Sequence, residues 1–153
     1  MPDVFISHSS ADVGFAQFLH RHLTSEGISV FLAPTSLPPG QQWSREILGA
    51  LNASSWVLFL ASRTACASPW VQQELGIALA TQKKVVPIVW DIRPSELPGW
   101  TAQFAALNLA GASAQEIQRH ISAIADRIKA DKSKAFLIGG LLVAGFVALV
   151  SKG

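Results

Sequence analysis

Five short apolar runs, separated by stretches of helical period, constrain this chain more than any other feature. The runs are Val4–Ser7, Ile28–Leu32, Trp56–Ala61, Val85–Trp90 and a weaker one at Phe104–Leu109. Trp56-Val57-Leu58-Phe59-Leu60-Ala61 is apolar throughout, as a strand covered on both faces must be. Between the runs, spacing predicts helices over Asp12–Glu26, Trp43–Ala53, Pro69 to about Thr81, and Ser113–Asp131. The first carries Phe15, Leu19 and His22 on one stripe and stops at Gly27. The second carries Trp43, Ile47, Leu48 and Leu51, and the last Ile117, Ile121, Ile124 and Ile128. Strands alternating with helices predict an α/β fold with a parallel sheet covered on both faces. Right-handed crossovers then favour a flavodoxin-like three-layer sandwich with strand order 2-1-3-4-5. Pro87 interrupts the fourth run. Lacking an N–H, it is expected at an irregular or bulged position.

Such sheets bind ligands beyond the carboxyl ends of the strands, where strands 1 and 3 diverge. The segments expected there are the loops Ser7–Asp12, Ala33–Gly40 (with Pro34, Pro38 and Pro39) and Ser62–Ser68. The usual signatures are missing. No G-x-G-x-x-G follows the first strand and there is no P-loop, which argues against dehydrogenases and kinases of those types. No His or Cys pair has metal-ligand spacing, and His20 and His22 face different ways on a helix, so no metal site is expected. His8 neighbours Ser7 and Ser9, but adjacent residues on extended backbone point apart, against a serine hydrolase. Cys66, the single cysteine, excludes an internal disulfide and fits a reducing compartment. It has no base beside it in sequence and reads as an ordinary thiol. A formal charge of +2 with scattered Lys and Arg makes no case for nucleic acid. The opening residues have no basic n-region and read as no secretory signal.

Glu74 is the anomaly. Ser68 caps a helix whose first position is Pro69. Val71, Leu75, Ala78 and Leu79 cluster on one side, and Trp70 and Ile77 widen the arc. At about 100° per residue, Glu74 falls inside that apolar arc. A carboxylate there is unfavourable unless it is paired or lines a cleft. Two readings stand: an acid at the edge of the stripe reaching water, or a functional group. The strand order places its helix next to the expected cleft, which favours the second. A lone carboxylate can stabilise the oxocarbenium-like charge that develops when an N-glycosidic bond breaks. No second carboxylate is needed when the leaving group already carries positive charge.

These stretches together resemble a bacterial-type TIR (Toll/interleukin-1 receptor) domain. Val4-Phe5-Ile6-Ser7-His8-Ser9-Ser10 resembles the family's opening strand, and Pro34 to Trp43 its BB loop. Ser68-x-Trp70-x-x-x-Glu74-Leu75 resembles its catalytic segment, and Val86-Pro87-Ile88 its fourth strand. The resemblance covers Met1 to Asp131 and implies the same flavodoxin-like sheet. It implies an enzyme that takes NAD+ as substrate, not cofactor, and releases nicotinamide, with Glu74 as the catalytic residue. Phe5, Ser7, Ser9, Ala33, Pro34, Trp43 and Trp70 would hold the substrate. Leu37, Pro38, Pro39 and Gly40 of the BB loop would mediate association with other TIR domains. Ala33 stands where many members have an acidic residue, a departure that bears on substrate orientation. Implied roles are anti-phage immune signalling switched on by self-assembly or, instead, a non-catalytic adaptor. Family membership alone does not decide between them.

Residues 132–153 read as a separate appendage. Ala135 to Val150 is about 16 residues without charge, slightly under the usual span of roughly 20. Lys129, Lys132 and Lys134 precede it and only Lys152 follows. That bias predicts an inner-membrane anchor in the lipid bilayer, with residues 1–131 on the cytoplasmic side. Gly140, Ala144 and Ala148 form a small-residue face suited to helix pairing. The alternatives are an oligomer-forming helix of a cytoplasmic protein, and an effector whose tail perturbs the membrane when the domains cluster.

Overall fold

The computed structural model describes residues 2–34 and 45–152; for Trp100 and residues 134–152 it describes the backbone alone. Five parallel strands form one sheet, β1 (Val4–Ser7), β2 (Val30–Leu32), β3 (Trp56–Leu60), β4 (Lys84–Val89) and β5 (Leu107–Asn108). Their order is β2-β1-β3-β4-β5, as the alternation of the sequence predicts. β1 is in register with both neighbours, Phe5 beside Phe31 of β2 and Val57 of β3.

Strand periodicity sorts the core into two layers. Val4, Ile6, Trp56, Leu58, Leu60 and Ile88 face one side. There they pack against α1 (Val13–Ser25) and α5 (Ala114–Lys152) through Leu19, Leu23, Ile121, Ala125 and Ile128. Phe5, Val57, Phe59, Val85 and Val89 face the other side, against α2 (Arg45–Ala53) and α4 (Pro69–Ala80) through Ile47, Leu51, Val71, Leu75 and Ala78. All residues of β1 and β3 are buried, as continuous apolar runs require. Ser7 has the parity of Phe5, so it is turned toward α4.

Several expectations need correction. Ser62–Ser68 is not all loop, because α3 (Arg63–Cys66) occupies it; the Ser62 hydroxyl accepts the Ala65 N–H as its cap. The last strand is two residues, with a 3-10 turn over Gly99–Gln103 before it. Pro87 needs no bulge, since it pairs in regular register with Phe59. The Ile88 carbonyl accepts the Ala61 N–H, so Ile88 faces β3; the Val89 carbonyl accepts the Leu109 N–H, so Val89 faces β5. Pro87 shares the parity of Val89. Its missing donor therefore falls on the β5 side, before β5 begins. Leu48 and Leu79, read as stripe residues, are each 37% exposed.

Ile121 and Ile128 of the last stripe are buried, and Ile117 and Ile124 pack partly buried beside them. The backbone of α5 continues through Asp131 to Lys152 as one helix. Among the described residues no helix is long and apolar enough to cross a membrane. The side chains of Ala135, Gly140, Ala144, Ala148 and Val150 lie outside the described residues.

Candidate active site

α4 starts where the sequence predicts. Ser68 is its N-cap, with its hydroxyl accepting from the Val71 N–H, and Pro69 opens the first turn. One turn on, Val71, Glu74, Leu75 and Ala78 are buried together while Trp70 and Ile77 are partly covered. Glu74 is therefore inside the apolar face, 1% exposed, and does not reach water.

Its partner comes from β1. The Ser7 hydroxyl donates to Glu74 Oε1 at 3.1 Å, joining residues 67 apart in sequence. Oε2 is buried and accepts no hydrogen bond among the described residues. Burial pushes the Glu74 carboxyl up to about 8, and the Ser7 hydrogen bond opposes this less strongly. The group is thus a carboxylic acid near neutral pH, one proton from an anion aimed into a low-dielectric interior.

The neighbouring residues form two groups. Phe5 and Ala33 lie in the same packed layer as Val71 and Leu75, and Phe5 stacks on Phe31 with ring centroids 5.5 Å apart. Trp70 Nε1 donates to the Pro34 carbonyl at 2.8 Å, tying the exit of β2 to the first turn of α4. Trp70→Phe is expected to lose roughly 1 kcal/mol of stability through that bond, read as a lower urea midpoint at unchanged slope. Ser9 belongs elsewhere. It donates to Asp12 Oδ2 at 2.7 Å, and the Ser62 hydroxyl donates to the same oxygen. Sequence reasoning missed this Asp12 junction; the chain separation of 50 residues leaves no local signal. Trp43, Leu37, Pro38, Pro39 and Gly40 lie outside the described residues.

Other reactive groups are unsuited to nucleophilic work. Burial, with the Asp91 charge, pushes the Cys66 thiol up to about 11, so it stays protonated. His8 is buried, and burial lowers its pKa against the opposing effects of the Ile6 backbone and Asp12. A cavity of about 600 Å³ opens at the amino-terminal edge of the sheet, lined by Asp3, Trp56, Lys84 and Asp131 among others. It lies at the opposite end from Ser7 and takes no part in this site.

A doubly covered parallel sheet with a buried acid held from the end of β1 is the arrangement to be placed among known proteins. A family model described as "TIR domain" matches residues 4–124, and the chain belongs to that family. It is 30% identical over 97 residues to the probable 2' cyclic ADP-D-ribose synthase BdTIR of Brachypodium distachyon, covering 62% of this chain and 43% of that protein. It is 30% identical over 109 residues to the NAD(+) hydrolase SARM1 of Danio rerio, covering 63% of this chain and 15% of that protein. The chain thus spans less than half the length of these curated relatives. Among solved structures, the TIR domains of the activated Roq1 resistosome match with a TM-score of 0.69 at 21% identity, over 84% of this chain and 99% of that one. The TIR domain of the Toll-related receptor TRR-2 from Hydra magnipapillata matches at 0.65, also at 21% identity and the same coverage. These likenesses establish the fold.

Proposed function

We propose that this TIR domain cleaves the N-glycosidic bond between nicotinamide and ribose in NAD+, with Glu74 as the catalytic carboxylate. The observation that carries the reading is Glu74 itself: an acid held by Ser7, 1% exposed, with Oε2 unpartnered among the described residues. A buried polar atom without a partner is unfavourable and calls for an explanation beyond packing. The names of two relatives, an NAD(+) hydrolase and a cyclic ADP-ribose synthase, support the same chemistry. In the mechanism, the departing nicotinamide takes the bonding electrons and its ring charge is neutralised. Positive charge then grows on the ribose, the Glu74 anion stabilises it in a site of low dielectric, and the oxygen of a water molecule or of a substrate hydroxyl bonds to the ribose carbon and gives up its proton. Phe5, Ala33, Pro34 and Trp70 are the substrate-side residues of this proposal, with Trp43 from the neighbouring segment. Ser9 is turned to Asp12 and serves the loop after β1.

A carboxyl group this buried cannot touch a substrate without rearrangement. That requirement favours activation by self-assembly, with the BB loop (Leu37 to Gly40) as the contact and immune signalling as the setting. The test is to cluster the full chain, add NAD+ and measure nicotinamide release. Release that appears on clustering supports the proposal, and none from a demonstrably assembled sample sinks it. The same burial favours one rival, a scaffold whose Glu74 is only a structural acid. A silent assembled sample would remove the enzyme and leave that rival standing.

For location, we propose that Ala135–Val150 anchors the domain to the inner membrane with residues 1–131 in the cytoplasm. The support is the charge-free stretch and its basic flank. In fractionated cells the chain is expected to stay in the pellet through an alkaline wash. Release into the supernatant would remove the anchor.

A further inference from the structure

On the side of the sheet away from Glu74, at its carboxyl edge, a cavity of about 380 Å³ opens between α1, α5 and the ends of β4 and β5. Its walls include Phe15, Trp90, Leu109 and Ile117, with the Phe15 and Trp90 rings edge to face at 5.3 Å. The volume is within the ~300–1,000 Å³ of ordinary small-molecule sites, whose pattern is apolar walls with a few placed polar groups.

The placed polar group is Asp12. It occupies the N-cap position of α1, yet its side chain caps nothing. Both hydrogen bonds it accepts, from Ser9 and Ser62, fall on Oδ2. Among the described residues Oδ1 accepts none, and no Lys, Arg or His forms an ion pair with this carboxylate. His8 feels the charge of this carboxylate, but burial biases that imidazole toward its neutral form, so a half-buried anion beside two aromatic rings is left to favour a cation. Gly14 supplies the second observation. It lines the cavity from the first turn of α1. A Cβ built on Gly14 meets nothing within 4 Å, so sterics do not demand glycine; its effect is to leave the cavity open.

We propose that this cavity binds a small organic ammonium ion, its aromatic body against Phe15, Trp90, Leu109 and Ile117 and its charge on Asp12 Oδ1. The site is distinct from the Glu74 site and does not depend on the function proposed there.

Binding to the full chain is measured by NMR titration with three probes of one shape: phenethylammonium, neutral 2-phenylethanol and anionic phenylacetate. Phenethylammonium is expected to saturate, with 2-phenylethanol at least about tenfold weaker and phenylacetate weaker still. Asp12→Asn keeps an acceptor for Ser9 and Ser62 and should erase the preference for the cation. Gly14→Leu should fill the cavity and lose all three probes while the melting temperature holds or rises. It thus separates a blocked site from a damaged fold. No saturable binding of phenethylammonium, equal binding of the three probes, or full binding in folded Gly14→Leu would each overturn the proposal.

Discussion

Glu74→Gln lowers nicotinamide release by the assembled chain by on the order of 10³-fold or more, the range for removing a group that stabilises transition-state charge. Gln keeps the shape and can still accept from Ser7, so assembly and fold should survive. What it cannot supply is the anion. The wild-type pH profile should show the same requirement. With the Glu74 carboxyl pushed up to about 8 by burial, kcat/KM of the free enzyme should climb with pH toward that value. The profile of kcat should lie lower, because the cationic nicotinium ring of bound substrate favours the ionised acid. Ser7→Ala provides an internal check. The Ser7 hydrogen bond opposes the effect of burial, so its loss should move the kcat/KM profile to higher pH. Substantial release by folded, assembled Glu74→Gln would remove Glu74 from the chemistry.

Much of this site was legible because strand and helix periods place side chains without reference to neighbours. Parity puts Ser7 on the face of Phe5, and the 100° step puts Glu74 beside Val71 and Leu75. Strand order then brings α4 over β1, and those rules bring two residues 67 apart within 3.1 Å. What the sequence concealed has physical reasons. The four-residue helix α3 is too short to show a period, and its signal is one cap, Ser62. The fifth strand shrank to Leu107–Asn108 because an apolar run says nothing about how far an edge strand finds a partner. Leu48 and Leu79 fit a stripe on spacing but each stays 37% exposed, because how fully a stripe residue is covered depends on the neighbouring element and not on its own period. Pro87 sits in a regular strand, and only the register shows which side of that strand lacks a donor requirement. Asp12 joins Ser9 to Ser62 through tertiary contact alone. A strong signal was available at each place where one element's own period decided the outcome. It was weak where a second element decided it.

The acid that favours catalysis should also weaken the fold as pH rises. Glu74 titrates at about 8 in the folded chain against an ordinary 4.5. Between those values the native state holds a proton that the unfolded state has released. The unfolded state then binds fewer protons, so stability falls with rising pH through that window and is level outside it. At ~1.4 kcal/mol per pH unit the loss between pH 5 and pH 8 is up to roughly 4 kcal/mol. Other groups titrate in the same range. Burial lowers the pKa of His8, which works in the opposite direction, with stability gained as pH rises toward 6.5. The useful quantity is therefore the difference between wild type and Glu74→Gln, in which His8 and every other unaltered group largely cancel. Near pH 5 the two proteins should differ little. By pH 8 the variant should be the more stable by a few kcal/mol, a rise in melting temperature on the order of 10 °C for a domain of this size. Denaturant midpoints at a series of pH values measure it directly. Parallel curves for the two proteins would mean that Glu74 ionises in the folded chain as it does in water, and that its site is open. A widening gap, together with lost nicotinamide release, would show one buried carboxyl group opposing stability and serving catalysis at once.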